Sequence, residues 1–256
     1  MDLRRLRTGP RMLGERRVIG ELRQLRSSPV FTAGAGVPRA AGSPVVLIPG
    51  FLATDTSMSH MGSWLKRMGY RPARAGIGIN VDCAARALDR LEPLIDRQAE
   101  EHGERVAVIG QSRGGCFARA LAVRRPDVVA GIVTLGSPHR DVLAVHPAMW
   151  APIAALMVAG TLGHPRSLRR ACLRRECCGP VEQLLTAPVP DGVGFVSVHS
   201  RTDGIVDWRA CVDPWAENVE VAGSHTGMAL NAAVYGVIGT ALAGFTTGRA
   251  AVASAA

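Results

Sequence analysis

Lysine is almost missing from this 256-residue chain. Lys66 is the only one, although lysine and arginine together number 30 against 21 aspartates and glutamates. The formal charge of +9 is therefore arginine charge. The arginines are spread from Arg4 to Arg249 with no nucleic-acid-binding motif beside them, so they read as a solvated surface and no nucleic-acid partner is expected. Aromatic residues make up only 4%, which leaves little for base stacking. No uncharged apolar run reaches the length of a membrane span, and no internal repeat points to a solenoid. Met1 to Arg7 is charged with no apolar stretch behind it, unlike a secretory leader, so reduced thiols and a cytoplasmic setting are the expectations.

What is present is enough apolar material, 47% of residues with 20% charged, for one large domain with a core of its own. The six cysteines are Cys83, Cys116, Cys172, Cys177, Cys178 and Cys211. A chain of this size does not need disulfides. The group Cys172, Cys177 and Cys178 lacks the paired C-x-x-C spacing of a zinc site and has no histidine at ligand spacing, so no metal is expected; one local disulfide is the alternative.

Residues 1–42 form a basic arm and linker. Arg4, Arg5, Arg7, Arg11, Arg16, Arg17, Arg23 and Arg26 alternate with apolar residues, and Val18, Leu22 and Leu25 make one helical stripe. Such a helix packs its stripe on the protein body or lies peripherally on an anionic membrane; packing is the favoured reading. Residues 33–42, rich in glycine and alanine, read as a connector. From Ser43 the texture changes to strands near 45–48, 72–75, 105–109, 130–135, 193–199 and 218–221. Helices are expected at 57–68, 83–101, 116–125 and 228–243. Strands alternating with helices predict an α/β fold, a mainly parallel sheet covered on both faces, over residues 43–249 with a tail at 250–256. Between about 139 and 190 the alternation breaks, and an insertion capping the carboxyl end of the sheet is expected there.

Gly110-Gln111-Ser112-Arg113-Gly114 matches G-x-S-x-G between a buried strand and a helix. A serine hydroxyl is a weak nucleophile until a base takes its proton, and a tight strand-to-helix turn both exposes it and sets it at the positive helix end. An acid and a base should follow in that order. Asp203, in the loop leaving the fifth strand, is the candidate acid, with Asp207 as the alternative. His225, between small residues after the last strand, is the candidate base. His60, His102, His139, His146, His164 and His199 have no comparable setting and read as surface or packing. The tetrahedral intermediate needs backbone donors: Arg113 N–H after the serine, and Phe51 N–H (or Leu52) in the turn after Pro49-Gly50.

With these residues in place, the chain resembles an α/β-hydrolase, of the bacterial lipase- and esterase-like branch with a Pro-Gly-Phe oxyanion loop. The stretches that carry the resemblance are residues 44–52, 106–115, 133–138, 200–208 and 224–235. It implies Ser112 as nucleophile, Asp203 as acid, His225 as base and Phe51 with Arg113 as oxyanion donors. It further implies a serine hydrolase cleaving small-molecule or lipid carboxylic esters through an acyl-enzyme, with no cofactor. An acyltransferase or thioesterase would use the same three residues, and a non-catalytic binding protein of this fold is a third reading. Relatives usually have an apolar residue where this chain has Arg113, a charged side chain near the mouth.

Overall fold

A computed structural model describes residues 12–253 of the chain. Two helices, α1 (Val18–Ser27) and α2 (Pro29–Thr32), precede the sheet. Then follow β1 (Pro44–Ile48), α3 (Ser59–Arg67), β2 (Arg71–Arg74), α4 (Ala84–His102), β3 (Val106–Gln111), α5 (Arg113–Arg124) and β4 (Val129–Leu135). The cap helices α6 (Trp150–Thr161), α7 (Arg170–Leu173) and α8 (Gly179–Thr186) come next, before β5 (Gly194–His199), β6 (Glu217–Glu220) and α9 (Ala232–Ala253).

The six strands form one sheet in the order β2-β1-β3-β4-β5-β6, and every neighbouring pair is parallel. Parallel pairs need crossovers, and the helices supply them on both faces. This is the α/β layout expected from the sequence. Side chains alternate between faces along a strand, so burial on both faces requires the continuous apolar runs of β1, β3 and β4. Val45, Ile109 and Val133 point to one layer with Trp64 and Leu65 of α3 and Tyr235 and Ile238 of α9. Val46, Val108 and Ile132 point to the other, with Leu88 and Leu91 of α4 and Phe117 and Leu121 of α5. The edge strands are the polar ones: Arg71 and Arg74 on β2 and Glu217 and Glu220 on β6 blunt the open edges.

The arm packs on the body. Leu25 is fully buried in the first core layer, Val18 and Leu22 are half-buried, and the same stripe buries Glu21. Arg4, Arg5, Arg7 and Arg11 lie outside the described residues. The closing helix differs from expectation. Residues 228–230 form a separate 3-10 turn, Asn231 is extended with its side chain accepting from Ala233 N–H, and α9 then continues to Ala253. Packing of Phe245 against the sheet layer carries the helix past the expected end at 243 and into the segment read as a tail. Among the described residues, no helix is long and apolar enough to cross a membrane.

Candidate active site

The chain turns at Ser112 with φ 51° and ψ −121°, a backbone conformation that a non-glycine residue adopts only under constraint. Two things hold it there. Ser112 N–H donates to Leu135 O at the end of β4 (2.7 Å), and α5 begins at the next residue. The flanking glycines are required by close approach: a Cβ on Gly110 would run into the Gly114 carbonyl, and one on Gly114 into the carbonyls of Ile48 and Pro49. The serine hydroxyl therefore stands at the carboxyl end of the sheet, above a helix amino end.

The structure brings Asp203 and His225 together. Asp203 Oδ2 lies 2.7 Å from His225 Nδ1, and both side chains are buried. The other oxygen, Asp203 Oδ1, accepts from the N–H groups of Ile205 (2.8 Å) and Val206 (2.7 Å), which fixes the carboxylate. Asp207 is occupied elsewhere: it caps the short helix Trp208–Cys211 by accepting from Arg209 N–H and pairs with the Arg209 guanidinium. Burial pulls the His225 pKa down, but the Asp203 carboxylate, the hydrogen bond to it and the nearby Glu15 charge outweigh burial and raise it above its ordinary value. His139, by contrast, is pulled down to about 3 by burial and is a neutral packing residue against Phe195.

His225 is tied to the serine turn from behind. Gln111 Nε2 donates to His225 O (3.0 Å), and a Cβ on Gly136 would sit 3.1 Å from His225 Nδ1. Among the described residues no hydrogen bond joins the Ser112 hydroxyl to the imidazole; in resting sites that contact is often loose and tightens with substrate. The backbone donors sort in the same way. Leu52 N–H is already used by Asn80 O (3.2 Å), whereas the Phe51 and Arg113 N–H groups have no protein acceptor among the described residues. Phe51 and Arg113 thus remain as the pair available to an oxyanion.

Ser112, Phe51 and Arg113 open into a cavity of about 210 Å³. Its far wall is the cap: Met149, Ile153 and Met157 on or beside α6, Val181 and Leu185 on α8. The expected insertion therefore supplies the apolar lining. The Arg113 side chain does not occupy the mouth freely. It donates to both oxygens of Asn80 and to Asp82 O, and its guanidinium lies 4.9 Å from the Phe117 ring centre. Burial lowers its pKa.

Two groups at the site were not visible in the sequence motifs. Glu15, just ahead of α1, accepts from Gly204 N–H (2.9 Å), His225 N–H (2.9 Å), Thr226 N–H (2.8 Å) and the Thr226 hydroxyl. Burial pushes its pKa up, but these hydrogen bonds prevail and hold the carboxyl below its usual range. Glu21, one turn into α1, accepts from Ser224 N–H (2.6 Å) and Oγ (2.5 Å). Two arm carboxylates thus clamp the loops that carry Asp203 and His225. The second group is Cys83, which joins Cys172, Cys177 and Cys178 so that all four sulfurs lie within 4.8 Å of one another. The three cap cysteines alone lack the spacing of a metal site; the fourth sulfur comes from the start of α4, 89 positions before Cys172.

Comparison with known proteins gives a consistent picture. The family model described as palmitoyl protein thioesterase matches residues 44–175, a stretch that holds Phe51, Ser112 and Arg113 and ends before Asp203 and His225. No curated protein sequence matches the chain. Among solved structures it is similar to a metagenomic carboxyl esterase, at 13% identity over 86% of this chain and 90% of that one (TM-score 0.61). It is also similar to the mature lipase BlEst2 of Bacillus licheniformis, at 16% identity over 80% and 93% (TM-score 0.57). A third is alpha/beta hydrolase domain-containing protein 10 from mouse, at 18% identity over 80% and 89% (TM-score 0.56). At these identities the likeness is one of fold.

Proposed function

The chain belongs to the palmitoyl protein thioesterase family within the α/β-hydrolases, and on that premise we propose that it is a serine hydrolase that cleaves acyl esters through an acyl-enzyme on Ser112. The observation that carries the reading is the Asp203–His225 contact of 2.7 Å behind a strained serine that faces an apolar cavity. Asp203 holds the imidazole with Nδ1 protonated, leaving Nε2 to take the Ser112 proton. The hydroxyl oxygen attacks the acyl carbonyl, and the developing oxyanion is met by the N–H groups of Phe51 and Arg113. His225 returns its proton to the leaving alcohol or thiol. Water then repeats the sequence and frees the acid. The alkyl part of the acyl group lies against Met149, Ile153, Met157, Val181 and Leu185, where its removal from water contributes about 0.8 kcal/mol per methylene.

Carboxylic esters are the first substrate class, in keeping with the esterase and lipase among the similar structures. Thioesters are the second reading, favoured by the name of the matching family. One comparison separates them: p-nitrophenyl esters against S-acyl thioesters of the same chain length, each on wild type and Ser112→Ala. Ester turnover that falls about 10³-fold or more in Ser112→Ala, with a residue from the backbone donors, is expected. Equal rates for the two proteins on every substrate overturn the serine mechanism. A kcat/KM for thioesters far above that for oxygen esters moves the activity to the second class. Labelling of Ser112 by a fluorophosphonate, located by peptide mapping, is the independent check.

A further inference from the structure

The four-cysteine cluster lies on the outer wall of the acyl cavity and has no part in the chemistry above. We propose that Cys83, Cys172, Cys177 and Cys178 bind one zinc ion as a structural tetrathiolate site that pins the cap to the start of α4. Cys83 precedes α4, Cys172 lies in α7, and Cys178 precedes α8, so a bond from each to one ion joins three segments of the fold.

The geometry is close to what such an ion requires. Zinc holds thiolates at about 2.3 Å in a tetrahedron, which sets neighbouring sulfurs about 3.8 Å apart. Here Cys83 Sγ is 3.4 Å from both Cys177 Sγ and Cys178 Sγ, and Cys177 Sγ is 3.5 Å from both Cys172 Sγ and Cys178 Sγ. All six separations stay within 4.8 Å. A disulfide needs about 2.05 Å, so these sulfurs are spaced as ligands around a centre and not as bonded pairs. Thiols are weak hydrogen-bond partners for one another, and four of them gathered at one point gain little from that contact alone.

The surroundings suit the charge. Four thiolates on a divalent ion carry a formal charge of −2, and arginines flank the ligands: Arg86, paired with Asp82, is three residues from Cys83, and Arg169, Arg170, Arg174 and Arg175 neighbour the cap ligands in sequence, the last two paired with Glu176 and Glu182. Arg169 N–H also points at Cys172 Sγ at 3.4 Å, the kind of outer hydrogen bond that orients a metal-bound sulfur. Cys83 and Cys178 are buried while Cys172 and Cys177 are half-buried, so the ion has an entry side. An all-sulfur, four-coordinate set is the choice of zinc and closes off any open position, which assigns the ion to structure. Binding releases a proton from each thiol to solvent. Cys172 and Cys178 line the acyl cavity as well, so the ion stiffens that wall.

The test is made on the full-length protein purified under reducing conditions. Elemental analysis is expected to give about one zinc per chain. After metal removal, Co²⁺ is expected to bind one per chain with the visible absorption of a tetrahedral cobalt thiolate, and Zn²⁺ to displace it. Cys83→Ser and Cys177→Ser should each lose the tight metal and the cobalt spectrum, while Cys211→Ala, outside the cluster, keeps both. The cobalt titration uses the wild-type chain, so a misfolded variant does not decide the matter. A reduced wild-type protein that takes up no zinc and gives no thiolate spectrum overturns the proposal. So does an intact mass short of one hydrogen pair per bond with no metal present, which would show disulfides instead. Iron found in place of zinc overturns the choice of ion. Since none of these readouts is turnover, they stand or fall apart from the serine mechanism.

Discussion

Asp203 and Asp207 stand in one loop, and a single amide substitution separates their roles. Asp203→Asn keeps the acceptor that binds Ile205 and Val206 N–H, so the loop holds, but it loses the charge facing His225 Nδ1. A fall in kcat of about 10³–10⁴-fold with little change in melting temperature is expected. Asp207→Asn retains a good helix cap and should leave kcat within about threefold. The opposite pattern would reassign the acid. The pH profile follows from His225. Its pKa is raised, so it protonates at a higher pH than a free histidine, and the acidic limb of kcat/KM should be centred above the ordinary value of 6.5. A limb centred below 6.5 would contradict that. In stability the sign is reversed: the stabilisation from charged His225 is full below about pH 6.5 and is lost as pH rises through the raised value.

At the scale of the element, the arm has a task that its composition conceals. Its stripe is buried at Leu25, and its carboxylates at Glu15 and Glu21 hold the loops around Asp203 and His225. Glu15→Gln removes a charge that raises the His225 pKa and substitutes an amide that cannot satisfy all four donors. The acidic limb should move to lower pH, and kcat should fall about tenfold, equivalent to about 1.4 kcal/mol of positioning. Assays across the pH range distinguish this from a purely structural role. A variant that is less stable but whose limb stays in place would refute the link between Glu15 and His225. Thr226 shares the contact, so Thr226→Val, which removes one donor but keeps the Glu15 charge, should lower kcat more weakly and leave the acidic limb in place.

Over the whole molecule, the cap and the sheet meet at Ser112, and Arg119 joins them. Buried on α5, it pairs with Asp213 (2.7 Å) and donates to the carbonyls of Leu184 and Ala187 at the end of α8. Removing either member of such a pair costs about 3–5 kcal/mol, because the other charge is left without a partner. On the proposed reading, the cavity between cap and sheet receives the acyl group and sets substrate choice. Met157→Trp fills it from α6, and the ratio of kcat/KM for long-chain over short-chain p-nitrophenyl esters should drop about tenfold or more. An unchanged ratio would place the acyl group elsewhere.

The sequence by itself determined the strand runs, their parallel arrangement and the serine turn, because each is local: apolar continuity, helical periodicity, and glycines where backbones touch. It also placed Asp203 and His225 in loops at the correct end of the sheet, which follows from where strands stop. Only the tertiary structure set Asp203, and not Asp207, against His225 and left Leu52 without a free N–H, since both depend on which donor meets which acceptor across the fold. The same holds for Glu15, 210 positions from His225, and for Cys83, 89 from Cys172. No spacing rule reaches across such separations. Those contacts exist because the sheet brings distant loops to one edge, and a carboxylate or a sulfur is then held by whatever that edge presents.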